Sequence, residues 1–186
     1  MGKIIFVTGG VRSGKSSFAE KKVFELEKDR IYVATAISFD DEMKERVRLH
    51  KIQRGENWIT IEAYKNIYKI LEKYKDSNGV VLLDCLTNLV TNNMIIDREV
   101  DWENVPQDTV AKIEDEIKDE IKKLIDFVKN STLDMVIVSN EVGMGLVPPY
   151  ALGRYFRDIS GRMNQLVGKE CHEAYLIVSG LELKLK

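Results

Sequence analysis

Short apolar runs alternate with longer amphipathic stretches along the chain. Ile4–Thr8, Ile31–Thr35, Val80–Asp84, Met135–Ser139 and Tyr175–Ser179 are rich in Val and Ile and too short for helices, so they are predicted as buried strands. Helical periodicity marks Lys15–Lys28, Asp40–Gln53, Tyr64–Tyr74, Pro106–Lys129 and Tyr150–Val167 between them. The clearest is Pro106–Lys129, where Ile113, Ile117, Ile121, Leu124, Ile125 and Val128 form one apolar stripe. Glu114–Lys118 and Asp119–Lys123 add favourable pairs one turn apart on that helix. Strand–helix alternation of this kind predicts an α/β fold, a mainly parallel sheet with helices on both faces. The polar stretch Asp97–Pro106 reads as an exposed loop, and no repeat or low-complexity tract divides the chain. Residues 1–186 are therefore expected to form one domain.

Composition narrows the class. Hydrophobic residues make up 44% and charged residues 31%, which suits neither a disordered chain nor a membrane protein. The longest apolar run holds only five residues, against about 20 for a membrane span and about 7–15 for a secretory leader. Twenty-eight basic and thirty acidic side chains give a net charge of −2, which argues against a general nucleic-acid binder. Cys85 and Cys171 form no CxxC pattern, so neither a disulfide framework nor a zinc site is suggested. The expectation is a soluble, cytoplasmic protein with reduced thiols.

Gly9-Gly10-Val11-Arg12-Ser13-Gly14-Lys15-Ser16 fits the phosphate-loop pattern G-x-x-x-x-G-K-[ST], between a predicted strand and a predicted helix. Glycines let the backbone curl so that its N–H groups face phosphate oxygens, and the helix N-terminus adds its positive dipole end. Lys15 is expected to reach the β- and γ-phosphates, and the Ser16 hydroxyl to ligate Mg²⁺. Val80–Asp84 ends in an acid at the carboxyl end of a buried strand, where open α/β sheets gather their ligands. Asp84 is thus a second candidate magnesium ligand; it also reads as a cap for a helix beginning near Leu86. Cys85 reads as a small packing residue. No Asn-Lys-x-Asp occurs, so these motifs specify a nucleoside triphosphate without specifying its base.

Chemistry is also suggested in Asp40–Arg54. At helical spacing Met43, Val47 and His50 share one stripe, with Arg46 and Arg54 a turn to either side of His50. Like charge disfavours a protonated imidazole between two guanidinium groups, which keeps a lone pair available for nucleophilic attack. A solvated helix face with a structural histidine explains the same pattern. His172, before the last predicted strand, reads as a surface residue. Asn140 and Glu141 fall at a strand's carboxyl end, where substrate contact and a turn role are both open. Arg154, Arg157 and Arg162 read as phosphate ligands or as solvated charges, and Tyr150, Tyr155 and Phe156 as packing or subunit-contact residues.

These residues carry a resemblance to a known family. The loop GGVRSGKS, YVATA (Tyr32–Ala36), the Asp40–Arg54 segment, W-x-T-x-E (Trp58–Glu62) and LLDCLT (Leu82–Thr87) contribute to it. SNEVGMGLVP (Ser139–Pro148), RYFRDISGRMNQ (Arg154–Gln165) and the terminal VSGLELKLK carry it nearly end to end. The chain resembles the adenosylcobinamide kinase / adenosylcobinamide-phosphate guanylyltransferase family of cobalamin biosynthesis. The resemblance implies a RecA-like P-loop NTPase fold, a homotrimer, and two activities using ATP or GTP. These are phosphorylation of adenosylcobinamide, then transfer of GMP from GTP to adenosylcobinamide phosphate through a guanylylated histidine. It implies that His50 is that histidine. It also implies nucleotide contacts from Gly9–Ser16, Thr35, Ala36, Ile37, Lys51, Ile52, Gln53, Arg54, Glu62 and Asp84. The alternatives are a P-loop kinase without guanylyl transfer and a RecA-like regulatory ATPase that couples hydrolysis to a conformational switch.

Overall fold

The computed structural model describes residues 1–37, 58–96 and 98–186. The helix predicted over Asp40–Gln53 lies outside the described residues, and with it His50, Lys51, Ile52 and Gln53; so does Arg54. Among the described residues seven strands form one sheet: β1 (Ile4–Gly9), β2 (Asp29–Ala34), β3 (Trp58–Glu62), β4 (Gly79–Asp84), β5 (Asp134–Asn140), β6 (Glu173–Val178) and β7 (Leu181–Lys184). Their order across the sheet is β3-β2-β4-β5-β1-β6-β7. Every pairing is parallel except β6 with β7. The helices among the described residues are α1 (Lys15–Glu25), α2 (Ile67–Leu71), α3 (Leu86–Ile95), α4 (Gln107–Lys129) and α5 (Ala151–Glu170). A 3₁₀ turn, Glu72–Tyr74, extends α2, so the predicted helix Tyr64–Tyr74 is shorter and partly 3₁₀. Residues 98–106 form no helix or strand, as the loop prediction expected.

Alternation along the central strands divides the core in two. Ile4, Phe6, Val81, Leu83, Met135 and Ile137 face α3, α4 and α5. Ile5, Val7, Val80, Leu82, Val136 and Val138 face the opposite side, where Ala19 and Val23 of α1 pack on them. Successive side chains of a strand point to opposite faces, so these parallel strands, covered on both sides, must be apolar at every position. That requirement is why their Val/Ile runs were conspicuous in the sequence. The α4 stripe is buried as predicted, with Val110 and Phe127 added to it.

Two strands were not predicted, and both are edges. In β3, Ile59 is 44% exposed and the strand reads as a mixed W-I-T-I-E. All four residues of β7 are exposed. It is held by a two-residue turn, Ser179-Gly180, whose φ values of 53° and 81° suit the twist of a tight hairpin. His172 is exposed, as expected, but not idle: Ile4 N donates to its Nδ1 at 2.9 Å, and its own N–H donates to Ile4 O at 2.8 Å.

Ile117 lies wholly buried at the middle of the α4 stripe. Ile117→Ala should lower the unfolding free energy by about 2–5 kcal/mol, whereas Lys122→Ala on the exposed side of the helix should stay within about 0.5 kcal/mol. Urea titration followed by circular dichroism measures both.

Candidate functional site

The loop between β1 and α1 is shaped by its glycines. A Cβ on Gly9 would lie 2.4 Å from Ile177 O and 2.7 Å from Ser13 Oγ, so no larger residue fits between β6 and the curling loop. Gly14, the residue before α1, has φ +95°, a left-handed conformation that side chains resist. Ser13 N donates to Gly10 O at 3.3 Å, and Lys15 Nζ reaches back to the same carbonyl at 3.1 Å. Burial lowers the Lys15 pKa from the ordinary lysine value, and the electrostatic influence of Cys85 and Asp84 opposes the shift. The hairpin turn between β6 and β7 supports the loop from outside. Gly180 N donates to Ser13 O at 2.8 Å, and a Cβ on Gly14 would sit 3.3 Å from Gly180 Cα.

Asp84 ends β4 on the side covered by α1. The Tyr32 hydroxyl donates to its Oδ2 at 2.9 Å. Asp84 does not cap α3, as one reading of the sequence had it; Cys85 does, its Sγ accepting from Asn88 N at 3.4 Å. The carboxylate is thereby left to the strand-end crevice. Cys85 is 6% exposed, and burial, reinforced by the Asp84 charge, pushes its thiol up to about 11. Such a thiol stays protonated near neutral pH, in keeping with a packing role. Thr35 clasps the following peptide: its Oγ1 donates to Cys85 O at 2.7 Å and accepts from Cys85 N at 2.8 Å. Thr35 O in turn accepts from Asn92 Nδ2 at 2.6 Å.

A cavity of about 410 Å³ opens at the carboxyl ends of β2 and β3. Thr35, Ala36, Ile37 and Glu62 line it, together with Tyr64 and Lys65, which the sequence reading did not single out. No pattern in the sequence marks those two; they reach the cavity only because β3 pairs with β2. Because β5 and β4 separate β1 from β2, the phosphate loop and this cavity are three strand spacings apart, roughly 14 Å. The predicted contacts thus form two groups along one edge of the sheet, with Asp84 between them. Ile37, in the cavity wall, is the last described residue before the segment that carries His50.

The three arginines of α5 are tied to their own chain. Arg154 donates to Pro149 O, Arg157 donates to Gly143 O, and Arg162 makes a two-pronged pair with Glu114 of α4. Tyr155 and Phe156 pack against the core, whereas Tyr150 is exposed.

The sequence matches the model of the cobinamide kinase / cobinamide phosphate guanyltransferase family over residues 5–185. The chain belongs to that family. It is 40% identical over 183 residues to the bifunctional adenosylcobalamin biosynthesis protein CobU of Escherichia coli K12, covering 98% of this chain and 99% of that one. Identity to the protein of the same name in Salmonella typhimurium is 39% over 184 residues, with 98% and 99% covered. The Pseudomonas aeruginosa bifunctional adenosylcobalamin biosynthesis protein CobP is 31% identical, with 97% and 95% covered. Among solved structures, a RadB recombinase superposes with a TM-score of 0.50 at 18% identity, over 94% of this chain and 73% of that one. That likeness supports the RecA-like P-loop fold expected from the resemblance.

Gly14→Ala should weaken nucleotide binding about tenfold or more, because a left-handed alanine costs about 1–2 kcal/mol and its methyl meets the hairpin turn. Gly161→Ala, with open space around its Cβ, should leave binding unchanged. Isothermal titration with GTP distinguishes them. Iodoacetamide at neutral pH should leave Cys85 unmodified in the folded protein and modify it after unfolding in urea, as peptide mass spectrometry would reveal.

Proposed function

We propose that the chain phosphorylates adenosylcobinamide and then transfers GMP from GTP to the product, with both steps on the strand-end crevice described above. The observation that carries the reading is the phosphate loop, Lys15 and Asp84 gathered at one edge of the sheet, in a chain that matches this family almost from end to end. One catalytic domain, 1–186, performs both steps in the cytoplasm, as a homotrimer; the trimer follows from the family resemblance.

The kinase step is mainly positioning and charge stabilisation. The loop N–H groups and Lys15 hold the triphosphate of ATP or GTP, and the acceptor hydroxyl of adenosylcobinamide attacks the γ-phosphate. Ser16 and Asp84 fit Mg²⁺: a hydroxyl and a carboxylate are hard oxygen donors, and magnesium is commonly held by one or two carboxylates with substrate phosphates. When bound there, the ion would neutralise charge on the β- and γ-phosphates.

For guanylyl transfer, one GTP lies along the edge of the sheet, its pyrophosphate end at the loop and its nucleoside in the cavity beside Glu62. The spacing of the two groups of residues and the place of Ile37 in the cavity wall, thirteen residues before His50 in sequence, both support this arrangement. His50 attacks the α-phosphate and pyrophosphate departs, leaving a guanylyl phosphoramidate. Arg46 and Arg54 keep the imidazole unprotonated, and Lys51, Ile52, Gln53 and Arg54 complete the nucleotide contacts. Adenosylcobinamide phosphate then displaces histidine and carries the GMP away.

The test is incubation with α-labelled GTP and magnesium in the absence of corrinoid. Label should stay on the denatured chain, survive alkali and be released by acid, and His50→Ala should take up none. His50→Ala should still phosphorylate adenosylcobinamide, whereas Lys15→Ala should lose both activities. Equal labelling of wild type and His50→Ala would remove His50 from the mechanism and leave a kinase.

A further inference from the structure

Asn140 ends β5, and its position is fixed by hydrogen bonds that do not use its own side chain. Asn140 N donates to Thr87 Oγ1 at 2.7 Å, and Asn140 O accepts from Asn164 Nδ2 at 3.2 Å. The two anchors are joined through Ser139, whose Oγ donates to Asn164 Oδ1 at 2.7 Å and lies 3.3 Å from Thr87 Oγ1. Thr87, Ser139 and Asn164 are buried. A closed ring of polar side chains from α3, β5 and α5 therefore holds one backbone position. Among the described residues, the Asn140 carboxamide itself makes no hydrogen bond.

Strand alternation determines which way that carboxamide goes. Ser139 points to the α3/α5 side, as its partners show. Val136 and Val138 belong to the α1 side, and Asn140 shares their parity. In register, Asn140 stands opposite Gly9, the first residue of the phosphate loop, and Glu141 N donates to Gly9 O at 3.0 Å. On the other flank, Asp84 stands opposite Val138, two residues back along β5 and on the same face as Asn140. The backbone of Asn140 is thus fixed so that its carboxamide, with two donors and an acceptor, is carried between the phosphate loop and the candidate magnesium carboxylate.

We propose that Asn140 contacts the γ-phosphate of the bound nucleoside triphosphate and is a catalytic residue of the kinase step. The inference rests on the kinase reading given above and extends it to a residue outside the phosphate-loop motif. In that step the acceptor oxygen forms a bond to the γ-phosphorus, and the bridging oxygen leaves with the nucleoside diphosphate. The hydroxyl proton passes to solvent. The Asn140 amide N–H donates to a γ-phosphate oxygen throughout, holding the phosphoryl group in line between Lys15 and the acceptor. The surrounding ring of Thr87, Ser139 and Asn164 positions that donor without consuming it.

The test compares wild type, Asn140→Ala and Asn140→Asp, with GTP and GDP affinities measured separately from turnover of adenosylcobinamide. Because the side chain makes no hydrogen bond among the described residues, both variants should unfold at the wild-type urea midpoint. Asn140→Ala should bind GDP as wild type does but GTP about tenfold more weakly, the worth of one hydrogen bond to a charged group. Asn140→Asp should bind GTP more weakly still, because its carboxylate repels the γ-phosphate. Kinase kcat should fall about tenfold to a hundredfold with little change in KM for adenosylcobinamide. Equal weakening of GTP and GDP, or an unaltered GTP-to-GDP ratio with full kcat, would overturn the assignment. Failure of the wild type to phosphorylate adenosylcobinamide would instead overturn the kinase reading, and the GTP-to-GDP comparison would still decide whether Asn140 touches a γ-phosphate.

Discussion

The constraint on which the site depends is the two-residue period of parallel strands covered on both faces. Each strand must send alternate side chains to α1 on one side and to α3, α4 and α5 on the other. At the carboxyl ends the same parity continues past the apolar core into polar residues. Gly9, Asp84, Asn140 and Glu62 all carry the parity of the α1 face, and α1 is the helix that the phosphate loop feeds. A slip of one residue in β4 or β5 would turn Asp84 or Asn140 to the wrong side and expose a row of core residues at the same time. Packing energy and site geometry are therefore enforced by one alternation. The α1 side itself is thin, with Ala19 and Val23 as the helix's buried residues, so the loop lies close against the strand ends.

Parallel strands that stop at a site leave backbone groups without a neighbour, and such groups are costly to bury unpaired. Side chains from the helices, and Thr35 just past β2, meet that need here. Thr35 bonds both polar groups of the Cys85 backbone, Asn92 bonds Thr35 O, and Thr87 and Asn164 bond Asn140. The donors and acceptors come mainly from α3 and α5, behind the strand ends, so the front remains open for a ligand. Fully satisfied buried networks of this kind are rigid. Rigidity is what a reaction dominated by positioning and charge stabilisation requires of its scaffold.

The sequence displayed the parts whose physics is local or periodic. Central strands were legible because two covered faces demand unbroken apolar runs, and α4 because its stripe repeats over about five turns. The phosphate loop was legible because Gly9 and Gly14 answer to backbone sterics that larger residues do not satisfy. Edge strands β3 and β7 were not, because exposed faces relax the demand for apolar residues; only Ser179-Gly180, a tight-turn pair, hinted at the second. The role of Cys85 as the α3 cap was hidden because sulfur is a weak acceptor and Asp84 beside it is the stronger capping residue by type. The ring around Asn140 was hidden for another reason. Thr87, Ser139 and Asn164 are far apart in sequence, and only the sheet order brings them together. The reading of His50 rests on the resemblance and on its arginine neighbours, outside the described residues.

The hairpin of β6 and β7 shows how an edge element can belong to the site. A loop that binds an anion through its N–H groups must keep its carbonyls engaged elsewhere, since carbonyl oxygens turned inward would repel phosphate. In this loop Gly10 O is taken by Ser13 N and by Lys15 Nζ, both from the loop's own end of the chain. Ser13 O is taken by Gly180 N, from 167 residues further along. The second bond requires the tight turn, and the turn requires β7 to pair with β6, although β7 buries none of its four residues. The exposed strand therefore contributes little to the core. Its effect is to hold a single backbone N–H against the phosphate loop, and that accounts for a two-residue turn with left-handed Ser179 and Gly180 at this end of the sheet.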